Sequence, residues 1–133
     1  MFHFRVNYDP ENWQKISATL LKDHKSIHRV NRAQILDDSL TLARAGLLNY
    51  PLALGTTEYL AKELEYIPWV AALGELTYVG SMLGRTSGYG EYKKFLIQQL
   101  LPIYKHLGFL NKKSDSAMDI RLREQVHNFT NIS

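Results

Sequence analysis

The sequence predicts an all-α protein, an α-solenoid of about six helices in HEAT-like hairpins, preceded by one short β-strand. Apolar residues recur every three or four positions along most of the 133 residues. Capping residues or prolines stand before several of these stretches, as they do at helix N-termini. The stretches form pairs that recur at roughly 35–40 residues, the length of a HEAT-type hairpin. We therefore divide the chain into a strand over residues 1–9 and a helical domain over residues 10–133.

The strand is predicted from Phe2 to Tyr8, where apolar and polar residues alternate. A period of two indicates an extended segment with one apolar face. No later segment pairs with it convincingly, and a lone strand is not stable by itself. We expect its partner strands to lie outside this chain. Without them, the segment should either pack on the helices of its own chain or pair with the same segment of a second copy.

The first two helices carry clear start and stop signals. Asp9 suits the N-cap and Pro10 the first helical position of a helix that ends between residues 22 and 28. Asn31 and Gln34 form a capping-box variant that predicts the start of the second helix. Gly46 suits the left-handed residue at the end of that helix.

Prolines and glycines divide the rest of the chain. Pro51 and Pro68 are predicted to open the third and fourth helices, and a glycine-rich loop follows at residues 84–90. The fifth helix contains Pro102, which should kink or split it. A loop over residues 108–116 precedes the last helix. If the stack of hairpins stops there, the apolar residues Ile120, Val126 and Phe129 of the last helix favour self-association or fraying.

Composition excludes several classes of function. The net charge of +3 is dispersed and contains no long run of one sign, which argues against nucleic-acid binding. No apolar stretch approaches the roughly 18 residues needed for membrane insertion. The N-terminus lacks the pattern of a signal peptide. The absence of cysteine excludes internal disulfides and thiolate metal sites.

The stretch HKSIH places His24 and His28 four residues apart, the spacing of a zincin ligand pair. In that motif a glutamate between the histidines activates the zinc-bound water. Lys25 stands in its place, and a lysine cannot act as a carboxylate base and would repel a nearby cation. We therefore assign no metal ligand and no catalytic residue.

Other polar motifs are weaker. Asp37 and Asp38 are adjacent, so on a helix their side chains diverge and favour ion pairs, with Arg32 as a partner within reach, over an acid–base dyad. Asn128 and Asn131 each begin an N-x-[ST] triplet and are candidate glycosylation sites.

Three stretches resemble the gluzincin zinc aminopeptidases of the aminopeptidase N family, insect-type members above all. They are FRVNYDPENW, HKSIHRVNRAQILDDSLTLARAG and EYIPWVAALGEL. The resemblance lies where the small β-sandwich domain of that family meets its C-terminal helical domain. It implies that residues 1–9 end the last sandwich strand and that residues 10–133 are a fragment of the helical domain. It also implies structural or interdomain roles for Arg5, Asn7, Tyr8, Asn31, Arg32, Asp37, Asp38 and Trp69.

The family's catalytic motifs, with H-E-x-x-H foremost, do not occur in this sequence. The resemblance therefore implies a non-catalytic lid or scaffold that shapes the chamber over the active site of a peptidase that removes N-terminal residues from peptides. Zinc would belong to the catalytic domain of the parent enzyme, which together with the β-sandwich domain is the expected partner. The expected location is extracellular or at the cell surface, and the chain alone should be inactive.

An alternative from another class stays open. The chain can be an independent helical-repeat module, for instance a cell-surface receptor for a protein partner or a toxin. The coding sequence upstream of Met1 distinguishes the two hypotheses, because only the first requires an H-E-x-x-H motif there.

Overall fold

The computed structural model describes residues 6–108 and 111–132, with side chains as far as residue 127. This part of the chain contains six α-helices and two short 3₁₀ segments, which confirms the all-α class. The helices are α1 (Pro10–Asp23), α2 (Arg29–Arg44), α3 (Tyr50–Gly55), α4 (Tyr66–Leu83), α5 (Tyr89–Leu107) and α6 (Ala117–Ile132), and the 3₁₀ segments are His24–Ser26 and Glu58–Lys62.

The predicted N-terminal strand is not shown. Val6, Asn7 and Tyr8 form no strand, and Phe2 to Arg5 lie outside the described residues. The physical reason is the lack of a partner, because no other described segment is extended beside it. The backbone N–H of Val6 instead donates to Asp38 Oδ2 at 3.4 Å.

The helices pack in two layers. α1, α3 with the Glu58–Lys62 segment, and α5 contact one another in order in the first layer. α2, α4 and α6 do the same in the second, where α2 and α4 share the largest interface. Each hairpin therefore stacks on the next, as the predicted repeat length requires.

The main core lies between the layers, and a smaller cluster of Leu40, Ala43 and Ala53 packs separately. The largest fully buried side chains of the main core include Trp69, Tyr59, Leu36 and Ile103, and α6 adds Leu122. Burying each such apolar side chain contributes roughly 1.5–3 kcal/mol before the entropy of ordering is counted. Among the described residues, no helix is both long and apolar enough to span a bilayer.

Several predicted boundaries shift in the structure. α2 begins at Arg29 with His28 as its N-cap, because His28 Nδ1 accepts the N–H of Val30 at 3.2 Å. The prediction that Asn31 caps this helix is therefore wrong. Gly46, with φ of 79°, has the left-handed conformation predicted for the end of α2.

Prolines mark helix starts less sharply than expected. α3 begins at Tyr50, one residue before Pro51, and α4 begins at Tyr66, two residues before Pro68. α5 continues through Pro102 and is not split there.

Candidate functional site

Three hairpin turns lie along one edge of the two layers, where each first-layer element leads into the N-terminus of its second-layer partner. The described residues of these turns are 24–28, 63–65, and 108 with 111–116. The first two enclose an open cleft of about 560 Å³, here called the hairpin cleft. Its lining includes His24, Lys25, His28, Arg29, Arg32, Lys62, Glu63, Leu64 and Glu65.

The floor of the hairpin cleft is a buried ion pair between Arg32 and Glu63. Arg32 Nε lies 2.7 Å from Glu63 Oε1, and Arg32 Nη2 lies 3.1 Å from Glu63 Oε2. Both side chains are nearly inaccessible, with 4% and 1% of their surface exposed. This two-point geometry is the strong form of an arginine–carboxylate pair.

The remaining Arg32 donors are also used. Nη2 donates to Glu65 Oε2 at 2.6 Å, and Nη1 donates to the carbonyl oxygens of His24 and Ile27 at 3.2 and 2.5 Å. A guanidinium has five N–H groups, so Arg32 is saturated. It ties the turn after α1 to the turn before α4.

Glu63 is satisfied from several directions. Its Oε1 also accepts from the Tyr59 hydroxyl at 2.8 Å, and its backbone oxygen accepts from Trp69 Nε1 at 2.6 Å. Burial raises the pKa of the Tyr59 hydroxyl, and the charge of Glu63 raises it further, so Tyr59 stays a donor. Burial by itself would lower the pKa of Arg32, but its bonds and charge interaction with Glu63 outweigh that effect and raise it.

These contacts do not suit a metal ion. Both oxygens of Glu63 accept from Arg32, and Nδ1 of His28 is engaged by the N–H of Val30. A cation bound by His24 and His28 would also face the charges of Arg32 and Lys25. No group of three or more potential ligands is found in the part of the chain that the structure describes.

The surroundings of the His24 ring lower its pKa. The ring lies 5.5 Å from the ring of Tyr59, centroid to centroid. Burial lowers the pKa of His24 below its ordinary value of 6.5, and although Glu63 opposes this, Arg32 and Lys25 add to the lowering. The folded protein therefore favours the neutral imidazole.

A smaller depression of about 280 Å³ continues from the hairpin cleft toward α6. Both cavities are lined by Arg29, Leu64 and Glu65, so they form one elongated surface. The lining of the smaller part adds the apolar side chains of Ile67 and Met118, together with Tyr66, Ser116 and Asp119.

The residues with predicted structural or interdomain roles lie mainly in two places. Arg32 lies at the hairpin cleft, and Asn7 and Tyr8 lie beside Trp13. Asn7 lies at the opposite end of α2, where its Oδ1 accepts from Trp13 Nε1 at 3.0 Å and its Nδ2 donates to the Leu47 carbonyl at 3.0 Å. Tyr8 packs edge-on against Trp13 with ring centroids 5.1 Å apart.

The other predicted residues are dispersed. Asp37 accepts from the Thr41 hydroxyl at 3.4 Å, whereas Asn31 is exposed on the surface of α2. Arg5 and the side chains of Asn128 and Asn131 lie outside the described part of the structure. The expected pairing of Arg32 with the adjacent aspartates is wrong, since its donors are used by Glu63, Glu65 and two carbonyls.

Sequence reasoning missed a second buried arginine. Arg123 of α6 donates to the carbonyl oxygens of Leu107 and Gly108 at the end of α5, and to Asp115 Oδ2 at 2.8 Å. The backbone N–H of Lys112, and then Arg123, hold the pKa of the Asp115 carboxyl below its usual range. No local motif signals this, because the partners are 8 to 16 positions away.

Comparison with known proteins gives one consistent result. A family model described as "ERAP1-like C-terminal domain" matches residues 2–131. The chain is 44% identical over 107 residues to aminopeptidase N of Plutella xylostella and 44% identical over 104 residues to that of Homo sapiens. These matches cover 80% and 78% of this chain, but only 11% of each relative. Aminopeptidase N of Oryctolagus cuniculus is 37% identical over 121 residues, which is 88% of this chain and 12% of that protein.

Proposed function

Because the chain belongs to the ERAP1-like C-terminal domain family, we propose that it is the non-catalytic helical lid and scaffold of a zinc-dependent aminopeptidase. The match over residues 2–131 carries this proposal, since it extends over nearly the whole chain. In this role the chain covers the active site of a catalytic domain that removes N-terminal residues from peptides. The two-layer stack supports the proposal because stacked hairpins form extended, curved walls.

The chain's own residues supply rigidity in this proposal. The Arg32–Glu63 pair holds the first two hairpins at a fixed separation, and Arg123 fastens α6 to the end of α5. A wall that limits access to a chamber has to resist deformation by the peptides that it excludes. Two buried arginine networks, each spanning two elements, meet that requirement.

The zinc ion belongs to another domain in this proposal. None of the described side chains fits it, because the carboxylate nearest to the two histidines is already bound by Arg32. When bound in a catalytic domain, zinc supplies a water activated for attack on the peptide carbonyl. The residues of this chain would exclude bulk water and bulky substrates from that site.

The N-terminal segment is proposed as the connection to the other domains. Residues 1–9 would complete a β-sandwich domain, and residues 10–133 would form the helical domain. Asn7 and Tyr8 support this role, because both are fixed on α1 through Trp13 and would set the direction in which the chain arrives. Structural roles for Arg5, Asn31, Asp37, Asp38 and Trp69 belong to the same proposal, as does an extracellular or cell-surface location.

Activity of the isolated chain tests the non-catalytic role. With a chromogenic aminoacyl substrate and added zinc, we expect no turnover by the purified 133-residue protein. Turnover that co-purifies with the chain and is abolished by a chelator would overturn the proposal. The coding sequence upstream of Met1 gives a second test, since an H-E-x-x-H motif is required there and its absence would favour an independent interaction module.

A further inference from the structure

The hairpin cleft carries positive charge that its own carboxylates do not neutralise. Four cationic side chains line it, those of Lys25, Arg29, Arg32 and Lys62, against the carboxylates of Glu63 and Glu65. Apart from the histidines, two positive charges remain in excess. The excess lies at the rim, because Arg32 is neutralised by Glu63 on the floor.

The rim cations have weak partners or none among the described residues. Lys62 Nζ donates to a neutral group, the Leu21 carbonyl, at 2.7 Å. Arg29 Nη1 is 4.0 Å from Glu65 Oε1, while the other oxygen of Glu65 lies 2.6 Å from Arg32. Lys25 makes no ion pair with any described carboxylate.

His28 adds a neutral donor to the same rim. Its Nδ1 accepts the backbone N–H of Val30, so that nitrogen carries no proton. A neutral imidazole then holds its proton on Nε2 and can donate it. The groups on the rim are therefore mainly hydrogen-bond donors, which suits a ligand that carries carboxylates.

The surface also continues past this charged region. The smaller depression shares Arg29, Leu64 and Glu65 with the hairpin cleft and adds Met118 and Asp119. The Asp119 carboxylate already accepts the backbone N–H of Ser116 at 3.0 Å, and it reduces the excess over the whole surface to one positive charge. Leu64 and Met118 are 44% and 54% exposed. A ligand that covers the whole surface would place negative charge at the first turn and an apolar group beside Leu64 and Met118.

We propose that this elongated surface binds an acidic peptide segment, with its carboxylates at Lys25 and Arg29 and an adjacent apolar side chain against Leu64 and Met118. Charge complementarity selects an acidic partner. The length of the surface and the exposed apolar side chains of Leu64 and Met118 select a peptide over a small inorganic anion. The inference does not rest on the proposed peptidase role, because it concerns only residues of this chain.

The test is an NMR titration of the ¹⁵N-labelled 133-residue protein. The probe is the blocked peptide acetyl-Leu-Glu-Glu-amide, and its reference is acetyl-Leu-Gln-Gln-amide, which has nearly the same shape without charge. The acidic peptide should shift the backbone amides of Lys25, Arg29 and Leu64 and bind at least about tenfold more tightly than the reference. Raising the salt concentration should weaken it, because exposed charges are screened.

Matched double variants locate the site. K25Q/R29Q should lower the affinity for the acidic peptide by about tenfold, since each exposed pair contributes a factor of about two to five. K93Q/K94Q removes two exposed charges from α5, outside the cleft, and should change the affinity by less than about twofold. Equal circular dichroism spectra and urea midpoints establish that the variants are folded.

Three results would overturn the proposal. The first is equal binding of the two peptides, or no binding of either. The second is an equal loss of affinity in the two double variants, which would indicate a general effect of net charge. The third is that inorganic phosphate shifts the same amides at the same concentration, which would make the cleft a site for small anions.

Discussion

Replacing Arg32 with methionine tests the role of the buried ion pair in holding the first two hairpins together. The substitution removes all five N–H donors, two of which serve Glu63. Glu63 is 1% exposed and keeps only the Tyr59 hydroxyl and the 3.4 Å contact from the Glu65 N–H as side-chain partners. An unneutralised carboxylate then remains in the interior.

The expected cost follows from that geometry. Removing one member of a buried pair costs about 3–5 kcal/mol, and we expect about 4 kcal/mol for R32M. E63Q preserves the shape of the side chain, but its N–H₂ group is a donor that faces one of the Arg32 donors. We expect this to lower the free energy of unfolding by about 2 kcal/mol. The double variant R32M/E63Q has no buried charge left. It should cost about 3 kcal/mol instead of the additive 6, a coupling of about 3 kcal/mol.

Urea unfolding measures these free energies. The fully buried Trp13 and Trp69 provide the fluorescence signal, and circular dichroism provides a second probe of the same transition. R29M is the matched control, since Arg29 is half exposed and 4.0 Å from its carboxylate, and it should cost less than about 0.5 kcal/mol. A cost for R32M below about 1 kcal/mol, or additive costs in the double variant, would show that the buried pair does not hold the two hairpins together.

Three further predictions concern single residues. N7A should lose about 1–2 kcal/mol of unfolding free energy in urea, because two groups that Asn7 satisfies lose their partner; an unchanged midpoint would contradict this. G46A should cost about 1 kcal/mol in the same assay, because φ is 79° and an added Cβ strains that conformation; a stabilised variant would show the opposite. The lowered pKa of His24 means that its contribution to stability is present above pH 6.5 and is lost as pH falls through the folded-state pKa. H24N should therefore lose less stability than wild type between about pH 7.5 and about pH 5.5, with the exposed H106N as control, and equal losses would refute it.

Local sequence signals predicted the parts of the fold that depend on neighbours in the chain. Asp9 caps α1 through Oδ1, which accepts the N–H of Asn12 at 2.8 Å, and Gly46 takes its left-handed conformation at the end of α2. Both effects are decided within one helical turn. The apolar residues that recur along α1 and α4 include Trp13 and Trp69, and both are fully buried.

The predicted start of α2 was wrong because two nearby residues, His28 and Asn31, can both act as an N-cap. Asn31 and Gln34 have the residue types of a capping box, yet His28 caps α2 three residues earlier. Ile27, at the end of the turn after α1, has an extended backbone, so that His28 can serve as the N-cap directly after it. Tertiary contact of Arg32 with the carbonyls of that turn then favours the earlier start.

The candidate site depended on partners that are distant in sequence. Glu63 is 31 positions from Arg32, and the position of Glu63 follows from how the second hairpin stacks on the first. Periodicity suggested aspartates closer in the chain as partners of Arg32, because it carries no information on stacking. The excess charge of the hairpin cleft has the same origin, since it appears only when two turns are brought together.

We propose above that this chain serves as a non-catalytic wall of a zinc aminopeptidase. The most direct test of this proposal is kcat/KM of aminopeptidase N of Plutella xylostella in which the matching 107 residues are replaced by those of this chain. We expect the exchanged enzyme to cleave an aminoacyl anilide with a kcat/KM within about tenfold of the original. A soluble, folded and zinc-loaded exchange enzyme whose kcat/KM falls by more than about a hundredfold would contradict it.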